Sequence, residues 1–519
     1  MRKGMVLTGL LALLTLVWAQ QGAFVEGVVY HDRNQNGVRD SGEPGIPNVL
    51  VSNQREVVRT DSKGRYRLPV GEDTKIFVIK PRGWRTAIDA DNVPRFYYIH
   101  KPQGSPPVRY RGVAPTGPLP ASVDFPLYPQ RESERFTVLM FGDTQPRDLR
   151  EVSYIAHDVL RELIGTREAA FGIVLGDVVF DDLTVMPPLI QAVGRIGIPF
   201  YYVLGNHDMN YDSPDDEHSD ETWERVFGPN YYAFQCGHVH FLVLDDVVWE
   251  GARDGQRGRY RAGLGERQIE FIRNYLHYVP RQHWVVLCMH IPMWEWPEEE
   301  RRAVFELLAP FPNTLSFSAH THYQTQRFFG AADGWQGRQP HLHWNAVTVC
   351  GSWWTGAPDS TGIPHTTMRD GTPNGYLWVS FDRAKFRIRY QASRRPADYQ
   401  MNIYLPDAIP QAQLAETEVL ANVFAGSERS VVEMRVGEQG EWIRLQPVQG
   451  RVDPAYAELK RLETEYKLPG RALPGVMPCP HLWGGRLPAN LPRGTHTLYV
   501  RTTDMFGQTF VDRRLFRVE

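Results

Sequence analysis

In the middle of the chain, five apolar runs each end in residues that can hold a metal ion. Phe136-Thr-Val-Leu-Met-Phe141 leads into Gly142-Asp143-Thr144-Gln145, and Gly172-Ile-Val-Leu175 leads into Gly176-Asp177. Phe200-Tyr-Tyr-Val-Leu-Gly205 leads into Asn206-His207-Asp208. Trp284 to Met289 leads into His290, and Ser316-Phe-Ser-Ala319 into His320-Thr321-His322. Taken singly, each is a strand tip followed by a polar turn. Together they bring carboxylates, amides and imidazoles to strand tips that converge on one crevice, the donor mixture of a divalent-metal site.

Such tips need elements to hold them. Leu149, Val152, Ile155, Ala156, Val159, Leu160 and Leu163 recur at helical spacing, with Gly165 as a cap. Ile269, Ile272 and Leu276 mark a second helix, and Val304 to Leu308 a third. Helix and strand periods alternating over 133–393 predict an α/β domain.

The ordered motifs resemble the calcineurin-like metallophosphoesterases, whose pattern is Asp-x-His, Gly-Asp, Gly-Asn-His-Asp/Glu, His and Gly-His-x-His. The resemblance spans 133–393 and implies a sandwich of α/β/β/α layers. It implies that Asp143, Gln145, Asp177 and His322 hold one divalent ion. Asp177, Asn206, His290 and His320 would hold the other, with Asp177 bridging. His207 is then the acid that protonates the leaving oxygen, and a metal-bridged hydroxide attacks a phosphomono- or phosphodiester. The sequence does not choose the carboxylate that orients His207: Asp181, Asp182 and the adjoining Asp208 all qualify. Two ions set against Asp143, Asp177 and a hydroxide leave a positive site, suited to a small phosphorylated substrate.

Two departures stand out. Gln145 occupies the place of a histidine, and Ala319 that of a glycine. An amide oxygen is a harder, weaker donor than imidazole, which tilts the ions toward Mn, Mg or Fe over Zn without naming one. The alternative for Gln145 is a hydrogen bonder behind the ligands. Phe180 stands where purple acid phosphatases carry an iron-binding tyrosine, which speaks against that type of centre. Trp353, Trp354, Asp370, Asn374 and Tyr376, with Trp294 and Trp296, are expected to wall a substrate pocket, packing being the plain alternative. Asp245 and Asp246 read as a strand-end turn.

The flanks are β-rich. Over 20–130, Phe24-Val-Glu-Gly-Val-Val-Tyr30 and Ile76-Phe-Val-Ile79 read as strands of an all-β domain. Between the first strands, Asp32, Asn34, Asn36, Val38, Asp40 and Glu43 match the twelve-position calcium loop, with Gly37 at its turn. This loop resembles those of prealbumin-like repeats in bacterial surface proteins and would hold a structural Ca²⁺. An Asx-rich turn without metal is the alternative. Over 398–519, alternating segments predict a mainly-β domain interrupted by one helix, Pro454 to Leu468. The three-part layout resembles exported calcineurin-like phosphoesterases with dedicated N- and C-terminal β domains.

Residues 1–19 combine a basic start, an apolar core too short to span a bilayer comfortably, and a Val17-x-Ala19 cleavage pattern. They predict a signal peptide, a secreted or periplasmic protein, and no membrane span after cleavage. Cell-envelope phosphodiesters, nucleotides and sugar phosphates then all fit as substrates. A formal charge of −3, without a long basic run, argues against binding nucleic-acid duplex. The competing reading is a calcium-stabilised surface-binding protein whose phosphoesterase-like domain is not catalytic. Four cysteines allow three pairings, and their spacing selects none.

Overall fold

The computed structural model describes residues 23–251 and 258–519. The expected signal segment, 1–19, lies outside the described residues.

The two large sheets of the central domain contain eleven strands. These are β1 (Arg135–Phe141), β2 (Phe171–Val174), β3 (Phe200–Tyr202), β4 (Tyr232–Cys236), β5 (Val239–Val243) and β6 (Trp284–Cys288). They continue with β7 (Thr314–Ser318), β8 (Thr325–Phe329), β9 (His341–Asn345), β10 (Gly375–Asp382) and β11 (Lys385–Ala392). One sheet has the order β3-β2-β1-β10-β11, the other β4-β5-β6-β7-β9-β8. The strands that carry site residues run parallel within each sheet, so their C-terminal ends share one edge.

Alternation along β1 builds the layers. Val138 and Met140 enter the core that contains Phe241, Val243 and Val286 of the second sheet. Leu139 and Phe141 point the other way, joining Val152 and Ile155 of α1 (Leu149–Asp158) and Leu189 and Val193 of α2 (Met186–Gly194). After α3 (Glu221–Phe227), helices α4 (Gly265–Leu276) and α5 (Glu298–Leu308) bring Phe271, Ile272, Val304 and Leu308 to the second sheet. The result is the α/β/β/α sandwich. The first helix is shorter than its apolar period: it ends at Asp158, and Leu160–Glu162 form a 3₁₀ turn that still buries Leu160.

The N-terminal region folds as two four-stranded sheets, in which Phe24–His31 pairs with Arg65–Pro69 and Phe125–Pro129. The C-terminal region has a four-stranded and a five-stranded sheet around Val432, Met434, Trp483, Leu498 and Phe516. Its helix, Pro454–Tyr466, is capped by the Asp453 carboxylate.

Both β regions dock on the central one through charged pairs with at least one buried partner. Lys101 lies 2.5 Å from Glu221 and 2.8 Å from Glu224 of α3, and Lys75 also pairs with Glu224. On the opposite flank, His481 Nε2 lies 3.0 Å from Asp370 Oδ2, and Arg471 pairs with Glu151 of α1. All four cysteines are buried and unbridged.

Candidate metal centre

The strand tips bring six predicted ligands together. His290 Nε2 lies 3.2 Å from Asp177 Oδ1, 3.1 Å from Asn206 Oδ1 and 3.1 Å from His320 Nδ1. Beside this group, His322 Nε2 is 3.1 Å from Asp143 Oδ2. Asp143, Asp177, Asn206, His290 and His322 are buried, and His320 is partly open.

The donor set fits divalent ions. His290 Nδ1 lies 2.9 Å from the Leu175 carbonyl, which can only accept, so its lone pair is on Nε2. That nitrogen faces a carboxylate oxygen, an amide oxygen and another imidazole nitrogen. A proton there satisfies one of them; a metal ion satisfies all. His322 repeats the pattern, with Nδ1 2.5 Å from the Gly351 carbonyl and Nε2 facing Asp143 Oδ2, a buried oxygen without a hydrogen-bond donor. The electrostatics agree: burial opposes charge on His290, yet the Asp177 carboxylate outweighs it and lifts the pKa to about 10. The carboxylates draw positive charge to this point.

Holding these donors strains the backbone. Gln145 (φ 43), Asp177 (φ 46), His320 (φ 68) and His322 (φ 55) are all left-handed, a conformation that costs a non-glycine residue about 1–3 kcal/mol. Gly176 (φ 87) is left-handed too, and a Cβ on it would sit 2.4 Å from His290 Nδ1. A Cβ on Gly205 would sit 2.0 Å from the Asp177 amide nitrogen. Ala319 is not among the left-handed residues, so the backbone there tolerates a side chain where the family has glycine.

His207 projects beside the cluster. Its Nδ1 lies 2.5 Å from Asp181 Oδ1, its Nε2 4.0 Å from Asp177 Oδ2, and its ring stacks on Phe180 at 4.4 Å. Burial lowers its pKa, but Asp177 and then Asp181 outweigh that and raise it above the ordinary value. The structure thus selects Asp181 among the three carboxylates. Asp208, a second of the three candidates, has another role: it is fully buried and accepts the backbone amides of Val178, Val179 and Gly205, tying the two motif loops together. Asp182 caps the turn at Thr184.

Gln145 also differs. Its Nε2 donates to Asp177 Oδ2 at 2.8 Å while Oε1 faces Cys350 Sγ at 3.6 Å, so it steadies a carboxylate rather than presenting its oxygen. Asp246, read as a turn residue, accepts the amides of His290 and Ile291 and the Trp296 indole, and so aims His290. Nothing in its strand-end position distinguished it from Asp245.

Of the expected pocket residues, only Trp353 borders the cluster, stacked on His322 at 3.7 Å and partly exposed. The others serve packing instead. Trp354 is buried with its indole on the Thr144 carbonyl; Asp370 accepts from Gln324 N and contacts His481. Asn374 donates to Asp158 and Val349, and Tyr376 to Glu162. Trp296 is buried on Asp246, and Trp294 packs edge-on against His343. Loops rich in Gly and Trp can wall a pocket or plug a core, and the sequence pattern is the same for both.

In the N-terminal loop, Asp32 accepts the amides of Gln35 and Gly37, and Glu43 those of Arg33 and Asp40. Asn34 and Asn36 both donate to Asp40 Oδ2, and Val38 is exposed.

Family models match three stretches of the chain. Calcineurin-like phosphoesterase matches residues 136–324, the N terminal of Calcineurin-like phosphoesterase 33–110, and the C terminal of Calcineurin-like phosphoesterase 343–510. No curated protein matches. Among solved structures, a purple acid phosphatase from yellow lupin (Lupinus luteus) seeds aligns with 11% identity over 67% of this chain and 69% of its own, with TM-score 0.36. A cold-active protein-tyrosine phosphatase of a psychrophilic Shewanella species aligns with 9% identity over 66% of this chain and 98% of its own, with TM-score 0.20. The chain belongs to the calcineurin-like phosphoesterases, with the family's N- and C-terminal companion regions, and is a metal-dependent phosphoric ester hydrolase.

Proposed function

We propose that this protein is an exported phosphoesterase acting on phosphomono- or phosphodiesters, cell-envelope phosphoesters among them. Asp143, Asp177 and His322 would hold one divalent ion (Mn, Fe, Mg or Zn), with Gln145 steadying Asp177. Asp177, Asn206, His290 and His320 would hold the other. The observation that carries the reading is the convergence of Asp177, Asn206 and His320 on the His290 lone pair. When bound, such ions neutralise phosphoryl oxygens and supply a nucleophile at neutral pH.

The chain's own residues do the rest. Asp181 holds His207 by Nδ1, which leaves Nε2 toward the metal-ligand cluster as the donor for a leaving oxygen. Phe180 stacks on the ring, and Tyr211, whose hydroxyl donates to the Asn206 carbonyl, packs beside it. Trp353 offers a partly open indole next to His322 for an apolar part of the substrate. The pattern in residues 1–19 supports export, and among the described residues no helix is long and apolar enough to cross a membrane.

The test is turnover of p-nitrophenyl phosphate and bis-p-nitrophenyl phosphate by protein loaded with Mn²⁺. Activity is expected to vanish on chelation and return with metal. His207→Ala should retain both ions yet lose activity, most on poor leaving groups. A protein with two bound ions that cleaves neither ester, nor a nucleotide or sugar phosphate, overturns the reading. N-terminal sequencing of the mature protein tests export, with Gln20 expected first.

We also propose a structural Ca²⁺ in the loop 32–43, supported by Asp32, Asn34, Asn36, Asp40 and Glu43 gathering around one turn.

A further inference from the structure

The loop carrying His320 and His322 leaves β7 and enters β8, but β9 lies between those strands in the sheet. The loop therefore crosses the C-terminal end of β9, and Asn345, the last residue of β9, meets it there. Asn345 is fully buried, and its Nδ2 donates to Thr321 Oγ1 and to the Tyr323 carbonyl, both at 2.6 Å. Thr321 sits between the two left-handed histidines, a conformation that persists only where surrounding contacts over-determine it.

Asn345 is itself aimed by a chain of buried polar side chains. Ser318 Oγ lies 2.9 Å from Asn345 Oδ1 and 2.8 Å from His343 Nε2. Ser316 Oγ is 2.7 Å from both His343 Nδ1 and His341 Nε2, and Thr314 Oγ1 is 2.9 Å from His341 Nδ1. Thr314, Ser316 and Ser318 alternate along β7, and His341, His343 and Asn345 along β9, so the chain runs up one face of the sheet.

Its direction follows from one carbonyl. The Tyr323 oxygen can only accept, so Asn345 turns its nitrogen to the loop and its oxygen to Ser318. Ser318 then donates to Asn345 and accepts from His343 Nε2–H. His343 Nδ1 accepts from Ser316, Ser316 accepts from His341 Nε2–H, and His341 Nδ1 accepts from Thr314. The one competing acceptor for Ser316, Met293 Sδ at 3.4 Å, is weaker. Every proton is given toward the metal-ligand loop.

We propose that Asn345 is a positioning residue for the metal centre. Through Thr321 it locks the His320–His322 loop in its strained form, and the Thr314–His341–Ser316–His343–Ser318 chain fixes which way its amide points. The inference rests on His320 and His322 being metal ligands. A half-turn of the amide would set two acceptors against each other at Tyr323 and release the loop. A buried polar chain satisfied in one direction leaves a single arrangement, which packing alone does not enforce.

The test compares Thr321→Val, Thr321→Ser and Asn345→Ala by titrating metal-free protein with Mn²⁺ and by melting the metal-free forms. Thr321→Val is expected to stay folded without metal, to melt somewhat lower because one Asn345 N–H loses its acceptor, and to weaken Mn²⁺ binding about 10–100-fold, with Thr321→Ser restoring wild-type binding. Asn345→Ala is expected to weaken binding at least as much. Wild-type affinity in Thr321→Val overturns the proposal. Should Asn345→Ala not fold, ¹⁵N-histidine NMR of the metal-free wild type decides: both His341 and His343 must carry the proton on Nε2, and Nδ1–H on either sinks the chain. Wild-type protein that takes up fewer than two Mn²⁺ would instead refute the metal-centre reading.

Discussion

His207 has a carboxylate next to it in sequence and another next to it in space, and they are different residues. Asp181 reaches its Nδ1, whereas Asp208 turns inward to three backbone amides. The two should therefore fail differently. Asp181→Asn is expected to lower kcat on alkyl phosphates while keeping both ions, by less than the about 10²–10⁴ expected for His207→Ala. Asp208→Asn can no longer accept from all three amides. Each amide left unsatisfied costs about 1–3 kcal/mol, so this variant should unfold at lower temperature and lose metal with structure. Equal kcat loss with unchanged melting in both variants would contradict these assignments. The residue types of the centre were legible because each stood at the end of an apolar run; the choice of Asp181 was not, because three carboxylates lay within reach of one imidazole.

At the scale of elements, the strands hold neutral histidines in places that acid should find. Burial holds His341, on β9 facing β7, down to about 3. Burial, then His283 and His238, do the same for His240 on β5, whose Nδ1 lies 2.7 Å from the Tyr275 hydroxyl. An unfolded histidine takes its proton near pH 6.5, so between about 3 and 6.5 the unfolded chain binds more protons than the folded one. This contribution is complete above pH 6.5 and drains as pH falls, by about 1.4 kcal/mol per pH unit per histidine. Urea midpoints should drop between pH 7.5 and 5, and His240→Gln should remove about one proton's worth of that slope. A slope unchanged in His240→Gln would show that the residue is not buried neutral. The calcium loop is an element-scale question as well. Millimolar Ca²⁺ should raise the melting temperature of the wild type but not of Asp32→Asn; no shift would mean that the loop stands on its own hydrogen bonds.

Across the whole molecule, the flanking β regions are joined to the phosphoesterase by charges taken out of water. Lys101 of the N-terminal region is buried against Glu221 and Glu224 of α3, which are fully buried. Replacing Lys101 by Ala leaves the buried Glu221 without its lysine and Glu224 with Lys75 alone, and about 3–5 kcal/mol of stability should go with it. Lys101→Ala together with Glu221→Gln should recover part of that loss, and a single variant as stable as wild type would show the contact to be idle. On the other flank, Asp370 links His481 to the Gln324 amide, two residues beyond His322. The C-terminal region thereby leans on the same loop that Asn345 supports from below.

By itself, the sequence determined an alternating α/β domain, the β-rich flanks and the residue types at the centre, while the layered sandwich was what the family resemblance implied. The first three are written in local terms: strand and helix periods, and polar residues set at strand ends. Tertiary structure alone decided which partner each group meets. It turned Gln145 toward Asp177 and assigned Asp181 to His207. It spent Trp354, Asp370, Asn374 and Tyr376 on packing, and it threaded hydroxyls and imidazoles from two strands into one directed chain. The reason is physical. Periodicity tells which face of a strand is buried, but a hydrogen bond forms only with what lies opposite. Opposition is set by the register of strands far apart in sequence, as with Ser316 and His343.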